Sequence, residues 1–449
     1  MGLVYLLTGA LLHSETIAQV PRIQGQGTAA SGMGNAFAAQ ADDASALHYN
    51  PAGLTHLPRI ESMAGGLLTG GATTFTGANG TTARGDRNGS MAWPPPAHFY
   101  LTANLPDLGV TLLGPLAVGI GLTVPFGSLT RWPTDGPFRT ATVFSSLPLL
   151  DVKPTLAYRL TESLSIGLGA DIYTFSQTVG EGHVERQSIW PGGFGIPAGA
   201  RVELFGRDTA AGFNASILYT ALRNNQGKPI ANVGFVYRSQ ATMHLSGALL
   251  ANGSKVSDAT ATFVLPQVMT GAIALWPVRT IEREWKLELD VDHVSWSTSR
   301  NLDVHLANGA TIPQPLKWRD TYAVMAGTEY KWLALDSMPG WDVALRAGYT
   351  NQQNQVPDQT FDPGIPSSDV HIVGGGIGLL CQKQGRLFGW MKCGEMGIGA
   401  VKTATIGLDF SYQASLYEDR TVVGNRNPTV NGTYKTTLHS GGVSIRLSF

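Results

Sequence analysis

Residues 285–292 read Trp-Lys-Leu-Glu-Leu-Asp-Val-Asp, apolar at every odd position and charged at every even one. A strand turns successive side chains to opposite faces, so this octet puts its charges on one face and its apolar groups on the other; a helix would scatter both. Residues 164–171, 406–413 and 443–449 repeat the alternation, with small glycines at many of the non-apolar positions. A chain built from such segments is all-β, and the question becomes what lies against each face.

Composition narrows the answer. Only 14% of residues are charged, against about 25% in soluble domains, and Gly accounts for 55 of 449 residues without a collagen-like period. A net charge of -1 supplies no basic field for nucleic acid, and a hydrophobic share of 43% excludes a disordered chain. Two uncharged stretches, 108–130 and 259–278, are long enough for transmembrane helices. They carry Pro115, Pro125, Pro266 and Pro277 and many glycines, which would cost helical hydrogen bonds that lipid cannot replace. Low charge, much glycine and strands apolar on alternate residues fit a transmembrane β-barrel. A β-sandwich alternates as well. Aromatics at strand ends, Tyr100, Tyr158, Tyr173, Tyr237, Trp276, Trp296, Tyr330, Trp332, Trp341, Tyr349, Tyr412 and Tyr417, favour the barrel as girdles at the two membrane interfaces. The last strand ends on Phe449, as outer-membrane barrels typically do for their assembly machinery.

Fourteen alternating segments follow: 60–68, 97–103, 116–126, 152–160, 164–175, 212–220, 231–237, 264–275, 284–296, 320–332, 341–350, 370–379, 405–415 and 440–449. An even count suits a single-chain bacterial barrel, and fourteen falls between filled eight-stranded and open sixteen-stranded barrels, so the lumen needs a plug. Short links at 223–227 and 334–340 read as periplasmic turns, and 351–368 and 421–436 as outer loops; the long link 382–402 on the periplasmic side breaks that rule. Ahead of the strands, 1–18 has the short apolar core and small residues of a secretory signal, without a basic start; a buried first strand is the alternative. Cys381 and Cys393 are the two cysteines of a chain that this signal would export, so a disulfide and two free thiols both remain open. There is no C-x-x-C pair or close His cluster for zinc, no G-x-S-x-G elbow, and Gly374–Gly378 lacks the helix that dinucleotide binding requires. No catalytic set, cofactor or metal is expected.

Residues 32–54 are small, Ala-rich and not strand-like, and contain Asp42-Asp43-Ala44 and then Asn50-Pro51-Ala52. This stretch resembles the amino-terminal hatch of the FadL family of outer-membrane transporters for long-chain fatty acids and hydrocarbons. Val124-Pro125-Phe126-Gly127 resembles that family's kinked third strand, Leu265-Pro266 the opening of its eighth, and Arg319-Asp320-Thr321-Tyr322 with Gly327-Thr328-Glu329-Tyr330 its tenth. Ile365 to Asp369 resembles the outer loop that follows the eleventh.

The resemblance implies a monomeric 14-stranded antiparallel transmembrane β-barrel, 59–449, plugged by the hatch 19–58 in a Gram-negative outer membrane. Its surroundings would be outer-membrane lipid and lipopolysaccharide, with the assembly machinery reading Phe449. It implies passive uptake of a hydrophobic small molecule, collected at outer loops and released sideways beside the third strand. Asn50, Pro51 and Ala52 would seat the hatch on the inner wall near that strand. Pro125, Phe126 and Gly127 would form the lateral opening; Pro lacks a ladder donor and Gly a side chain, which a simple bulge would equally explain. A carboxylate ligand would want a cation: Arg319 first, then Arg238 and, more weakly, Arg446. Lys286, Glu288, Asp290 and Asp292 are expected to pair with one another in the lumen. The rival readings are a general porin and a structural or adhesive barrel.

Overall fold

The computed structural model describes residues 22–87, 98–177, 182–193, 195–333, 335, 337–398 and 401–449; the expected signal segment 1–18 lies outside them. Fourteen strands form the wall. They are β1 Ile60–Gly77, β2 His98–Asn104, β3 Leu116–Arg131, β4 Phe144–Arg159, β5 Leu164–Thr174, β6 Ala210–Arg223 and β7 Pro229–Arg238. The second half comprises β8 Val268–Arg279, β9 Arg283–Val294, β10 Thr321–Trp332, β11 Trp341–Gln352, β12 Val370–Cys381, β13 Thr405–Tyr417 and β14 Gly432–Ser448. Each pairs antiparallel with the next, and β14 returns to β1 from Glu61↔Ser448 to Gly77↔Gly432, closing the ring and removing its edges.

The fourteen wall strands match the fourteen alternating segments one for one. The eighth starts later than expected. Residues 264–265 end an outer strand, Ser254–Leu265, and the wall resumes at Val268 because Pro266 cannot continue the ladder.

On β9 the alternation becomes an inside and an outside. Trp285, Leu287, Leu289 and Val291 are 37–45% exposed on the lipid face, whereas Lys286, Glu288, Asp290 and Asp292 are at most 4% exposed. Several of the aromatics expected in the girdles do not stand there. Tyr100, Tyr173 and Trp276 are buried inside the barrel, because their positions carry the inward parity of their strands, and Trp296 is buried just past β9 in the 3-10 turn Trp296–Thr298. Tyr158, Tyr349 and Tyr412 face lipid, joined by Trp285, Tyr219 and Tyr322.

One end of the barrel has short connections and the other long loops, which sets the first as periplasmic and the second as external. The external end holds strands that the segment count missed. Ala241–Ala251 and Ser254–Leu265 form a hairpin beside Arg201–Arg207, and Val184–Ile189 pairs with Arg201–Arg207, continuing the wall outward. Asn252-Gly253 at the hairpin tip, both with positive φ, is the sequence signal that marks such a turn. At the periplasmic end, Cys381 and Cys393 are joined by a disulfide across the exceptional link, with 6.2 Å between their Cα atoms.

Residues 22–58 lie within the barrel. A helical turn Thr28–Gly32, another at Ala46–Tyr49 and a 3-10 helix Pro51–His56 are nearly all buried. Small residues permit this packing. A Cβ placed on Gly348 of β11 would lie 2.0 Å from the carbonyl carbon of Met33. Gly348→Ala is therefore expected to displace the hatch around Met33 while the wall stays paired. Overpacking of about 1–3 kcal/mol predicts roughly tenfold faster proteolysis within 22–58, with the heat-modifiable gel shift of the barrel retained. An unchanged cleavage rate would count against this seat.

Candidate functional site: the hatch, the bulged third strand and the outer chamber

The inward charges of β9 hold the hatch more than they hold each other. The carboxylate of Asp290 accepts from the amides of Phe37 and Ala38, each at 2.9 Å, and Glu288 accepts from Ala39 at 2.7 Å and Gln40 at 3.1 Å. These amides belong to irregular backbone, so without the acids they would be buried without a helical or sheet partner. Lys286 pairs with Glu288 at 3.0 Å, as expected from the sequence; Asp292 instead pairs with Arg22 and accepts from Thr270 at 2.6 Å. Across the lumen, Glu61 of β1 accepts from the amide of Ala44 at 2.7 Å. Burial pushes the His48 imidazole of the hatch well below its usual range, with Arg238 the largest of the charges acting in the same direction.

Asn50 binds three ways: its Nδ2 donates to the carbonyls of Ala38 (2.7 Å) and Ile217 on β6 (3.1 Å), and its Oδ1 accepts from Ala52 N (3.1 Å). Ala52 N also donates to Ser216 Oγ of β6 at 3.0 Å, and a Cβ on Gly167 of β5 would lie 2.6 Å from that nitrogen. The hydrogen bonds and close contacts of Asn50-Pro51-Ala52 are made to β5–β7, and the 3-10 helix Pro51–His56 that it opens also lies against β3. Leu47 of the hatch packs on Gly119 and Gly121 of β3.

The register of β3 against β4 slips between Thr123↔Asp151 and Phe126↔Leu149, so Val124 and Pro125 stand opposite Leu150 alone. This is a bulge, and it reverses the alternation: Ile120 faces lipid, yet Phe126 points into the lumen. β2 pairs with β3 only from Asn104 to Phe99, opposite Ala117 to Leu122. Among the described residues, β3 is next bridged at Phe126, antiparallel to Arg22 of the hatch, and then pairs at Arg131, opposite Asp86. Residues 22–26 cover the bulge from inside. Ile23 N donates to Pro125 O at 2.8 Å, and the Gln26 carboxamide both accepts from Val124 N (2.9 Å) and donates to Val124 O (2.8 Å). With Arg22 held by Asp292, this strap reaches from β9 to β3. Gly127 lines a cavity of about 130 Å³ together with Arg22, Gln24, Leu67, Thr69 and Leu438.

Outward of the hatch lies a large cluster of buried apolar side chains, with buried polar groups such as the Arg186–Asp362 pair beside it. Trp318, Trp296, Phe126 and Tyr173 make consecutive ring contacts, 5.3, 6.1 and 6.1 Å between centroids, within one cluster that continues through Phe263, Leu249 and Ile196 into the outer strands. There a pocket of about 530 Å³ is lined by Trp190, Ile196, Leu249, Val256, Leu306 and Ile312, among others.

The candidate cations separate. Arg238 lies on the inward face of β7, 6% exposed, with its Nε and Nη2 buried without a hydrogen-bond partner. Beside it Asn214 donates to Asp171 at 3.0 Å, and Lys153 is neutralised by Asp151 and Asp171. Arg319, the first choice from sequence, stands ahead of β10 on the outer rim, exposed, its Nε donating to the Asn354 carbonyl at 3.1 Å. Strand parity does not carry Arg319 into the lumen, because β10 starts only at Thr321. Arg446 has a buried Nε without a partner. On the outer strands His183, Glu185 and Glu203 bring ligand atoms within 4.8 Å of one another, a grouping that separation in sequence concealed.

Residues 11–387 match the family described as outer membrane protein transport protein (OMPP1/FadL/TodX). A putative outer membrane protein of Neisseria meningitidis serogroup B is 36% identical over 123 residues, 25% of this chain; the chain spans 24% of that relative's length. Among solved structures, a Pseudomonas aeruginosa FadL homologue superposes with a TM-score of 0.69 at 16% identity, covering 97% of this chain and 100% of its own. The toluene transporters TodX of P. putida and TbuX of Ralstonia pickettii give 0.62 and 0.60, each at 16% identity, 95% coverage of this chain and 99% of their own. At such identity these structures speak for the shared barrel fold.

The acid contacts to the hatch generate a local prediction. Asp290→Ala removes the acceptor of two amides, and hydrogen bonds to a charged group contribute about 1.5–3 kcal/mol. Amide exchange at Phe37 and Ala38 is expected to accelerate by about 10- to 100-fold, read by hydrogen-exchange mass spectrometry, with the wall strands unchanged. Unaltered exchange would mean that packing alone seats the hatch.

Proposed function

This chain belongs to the OMPP1/FadL/TodX family of outer membrane transport proteins, and from that premise we propose that it takes up hydrophobic small molecules passively. The solutes are long-chain fatty acids or aromatic and aliphatic hydrocarbons; the chain acts as a monomeric carrier, not an enzyme. The observation that carries this reading is the continuous buried apolar cluster from the outer strands down to Phe126 and Tyr173. A porin's water-filled pore favours polar solutes, whereas an apolar lining gives a hydrophobic solute about 25 cal/mol for each Å² it withdraws from water. The hatch inside the barrel argues against a general porin or a purely structural barrel.

Solute first settles in the outer pocket between Trp190, Leu249 and Ile312, surrounded by lipopolysaccharide. It then passes along Trp318, Trp296, Phe126 and Tyr173 to the floor of the chamber. There Arg238, with two unmatched donors, suits an anionic headgroup. Exit runs sideways at Pro125, Phe126 and Gly127 once residues 22–26 leave the bulge, because Pro125 and the slipped register leave few wall bonds to break. Asn50, Pro51 and Ala52 keep the rest of the hatch in place during that step, and Phe449 serves recognition by the assembly machinery.

Arg238 distinguishes the two solute classes. Arg238→Met keeps an unbranched apolar stem but removes the charge. Loss of a charged hydrogen-bonding group predicts oleate binding to the purified protein weakened about 10- to 100-fold by calorimetry, with toluene binding changed by less than about twofold. Equal loss for both solutes, or none for oleate, would remove Arg238 from the headgroup role.

A further inference from the structure

Of the link between β12 and β13, residues 382–398 are folded onto the outside of the barrel. Cys381, Ile406, Trp341 and Leu447 carry the lipid-facing parity of β12, β13, β11 and β14, the same parity as the exposed Ile377, Phe410, Leu345 and Ile445. At the periplasmic rim these four sit in one cluster with Cys393, Leu387 and Met396 of the link, and Cys381 and Ile406 are buried beneath it. The link is anchored at both ends. The disulfide ties it to β12, Gln382 N donates to Gly340 O at 2.8 Å, and Cys393 N and Gly394 N donate to Gly385 O and Lys383 O, both at 3.0 Å.

From this base a small hairpin, Arg386–Leu387 against Met391–Lys392, projects a tip with Phe388 82% and Trp390 73% exposed. Phe388 has a φ of 53°, a left-handed backbone in which a bulky residue is disfavoured and which tends to mark function. Around the tip, Lys383, Arg386, Lys392 and Lys402 are exposed, and Glu395, 3.0 Å from Lys392, is the acid of the segment. A water-facing turn gains nothing from two bare aromatics. An aromatic tip with a basic collar, mounted on the lipid face where the apolar belt meets the periplasm, has the chemistry of a membrane-interface anchor.

We propose that residues 382–398, with Lys402, form a foot that rests in the inner leaflet, with Phe388 and Trp390 at headgroup depth and Lys383, Arg386, Lys392 and Lys402 binding anionic phospholipid. The foot fixes the height and tilt of the β11–β14 sector in the bilayer. It is independent of what the barrel carries.

The test uses the full-length protein and its Trp390→Phe variant in proteoliposomes of phosphatidylethanolamine with phosphatidylglycerol. The difference in their emission isolates Trp390, and the variant keeps an aromatic tip. Lipid brominated near the headgroup is expected to abolish most of that difference signal, while aqueous iodide leaves it. A signal quenched by iodide and untouched by bromolipid would overturn the proposal and turn the tip toward a periplasmic protein. Bromines carried on phosphatidylglycerol are expected to quench more strongly than bromines on phosphatidylcholine, a preference that K383Q/R386Q/K392Q loses. Equal quenching by both lipids in the unaltered protein would refute the anionic-headgroup contact.

Discussion

Buried carboxylates on β9 and unpaired amides in the hatch each need what the other supplies. Glu288 and Asp290 stand inside a membrane barrel, where isolated charges are expensive, and the backbone of Phe37 to Gln40 runs without regular structure, where unpaired N–H groups are expensive too. Their four hydrogen bonds settle both needs at once and set the hatch at a fixed height and rotation in the lumen. Asp292, next on the same face, extends the arrangement to Arg22. The strap that covers the third strand is therefore tied, through one strand's polar face, to the residues that hold the plug.

That coupling gives the bulge its meaning. Without residues 22–26, Val124 and Pro125 would be a local defect in an otherwise closed wall. With them, the defect is covered by a segment held through the Arg22 and Gln26 side chains and a short antiparallel bridge to Phe126. The same bulge turns Phe126 inward to complete the ring series from Trp318 to Tyr173. One inserted residue thus joins the chamber lining to the weak point of the wall.

Much of this was legible in the residues. Strict alternation in segments such as 285–292 identified the wall, because a barrel imposes opposite solvents on successive side chains. The hatch was visible as small residues ending in Asn-Pro-Ala. What escaped depended on contacts between distant segments. The seat of Asn50 on β6 is made through backbone carbonyls that no side-chain pattern reports. Arg319 has the inward parity of β10 but precedes the strand, so parity did not govern it. Tyr173 stands near a strand end, as a girdle residue would, but on the inward parity of β5, and Trp296 lies past the end of β9, where parity no longer applies. The outer hairpin was overlooked although Asn252-Gly253 announced its turn, since strands beyond the membrane need no lipid face.

The central claim is that the apolar chamber above an anchored hatch carries hydrophobic solutes and not polar ones. The most direct measurement is the initial uptake of labelled oleate, toluene and maltotriose by cells lacking their own outer-membrane channels for these solutes, with and without this protein. The account predicts faster entry of oleate, toluene or both, and no change for maltotriose. Faster maltotriose entry with neither hydrophobic solute accelerated would contradict it.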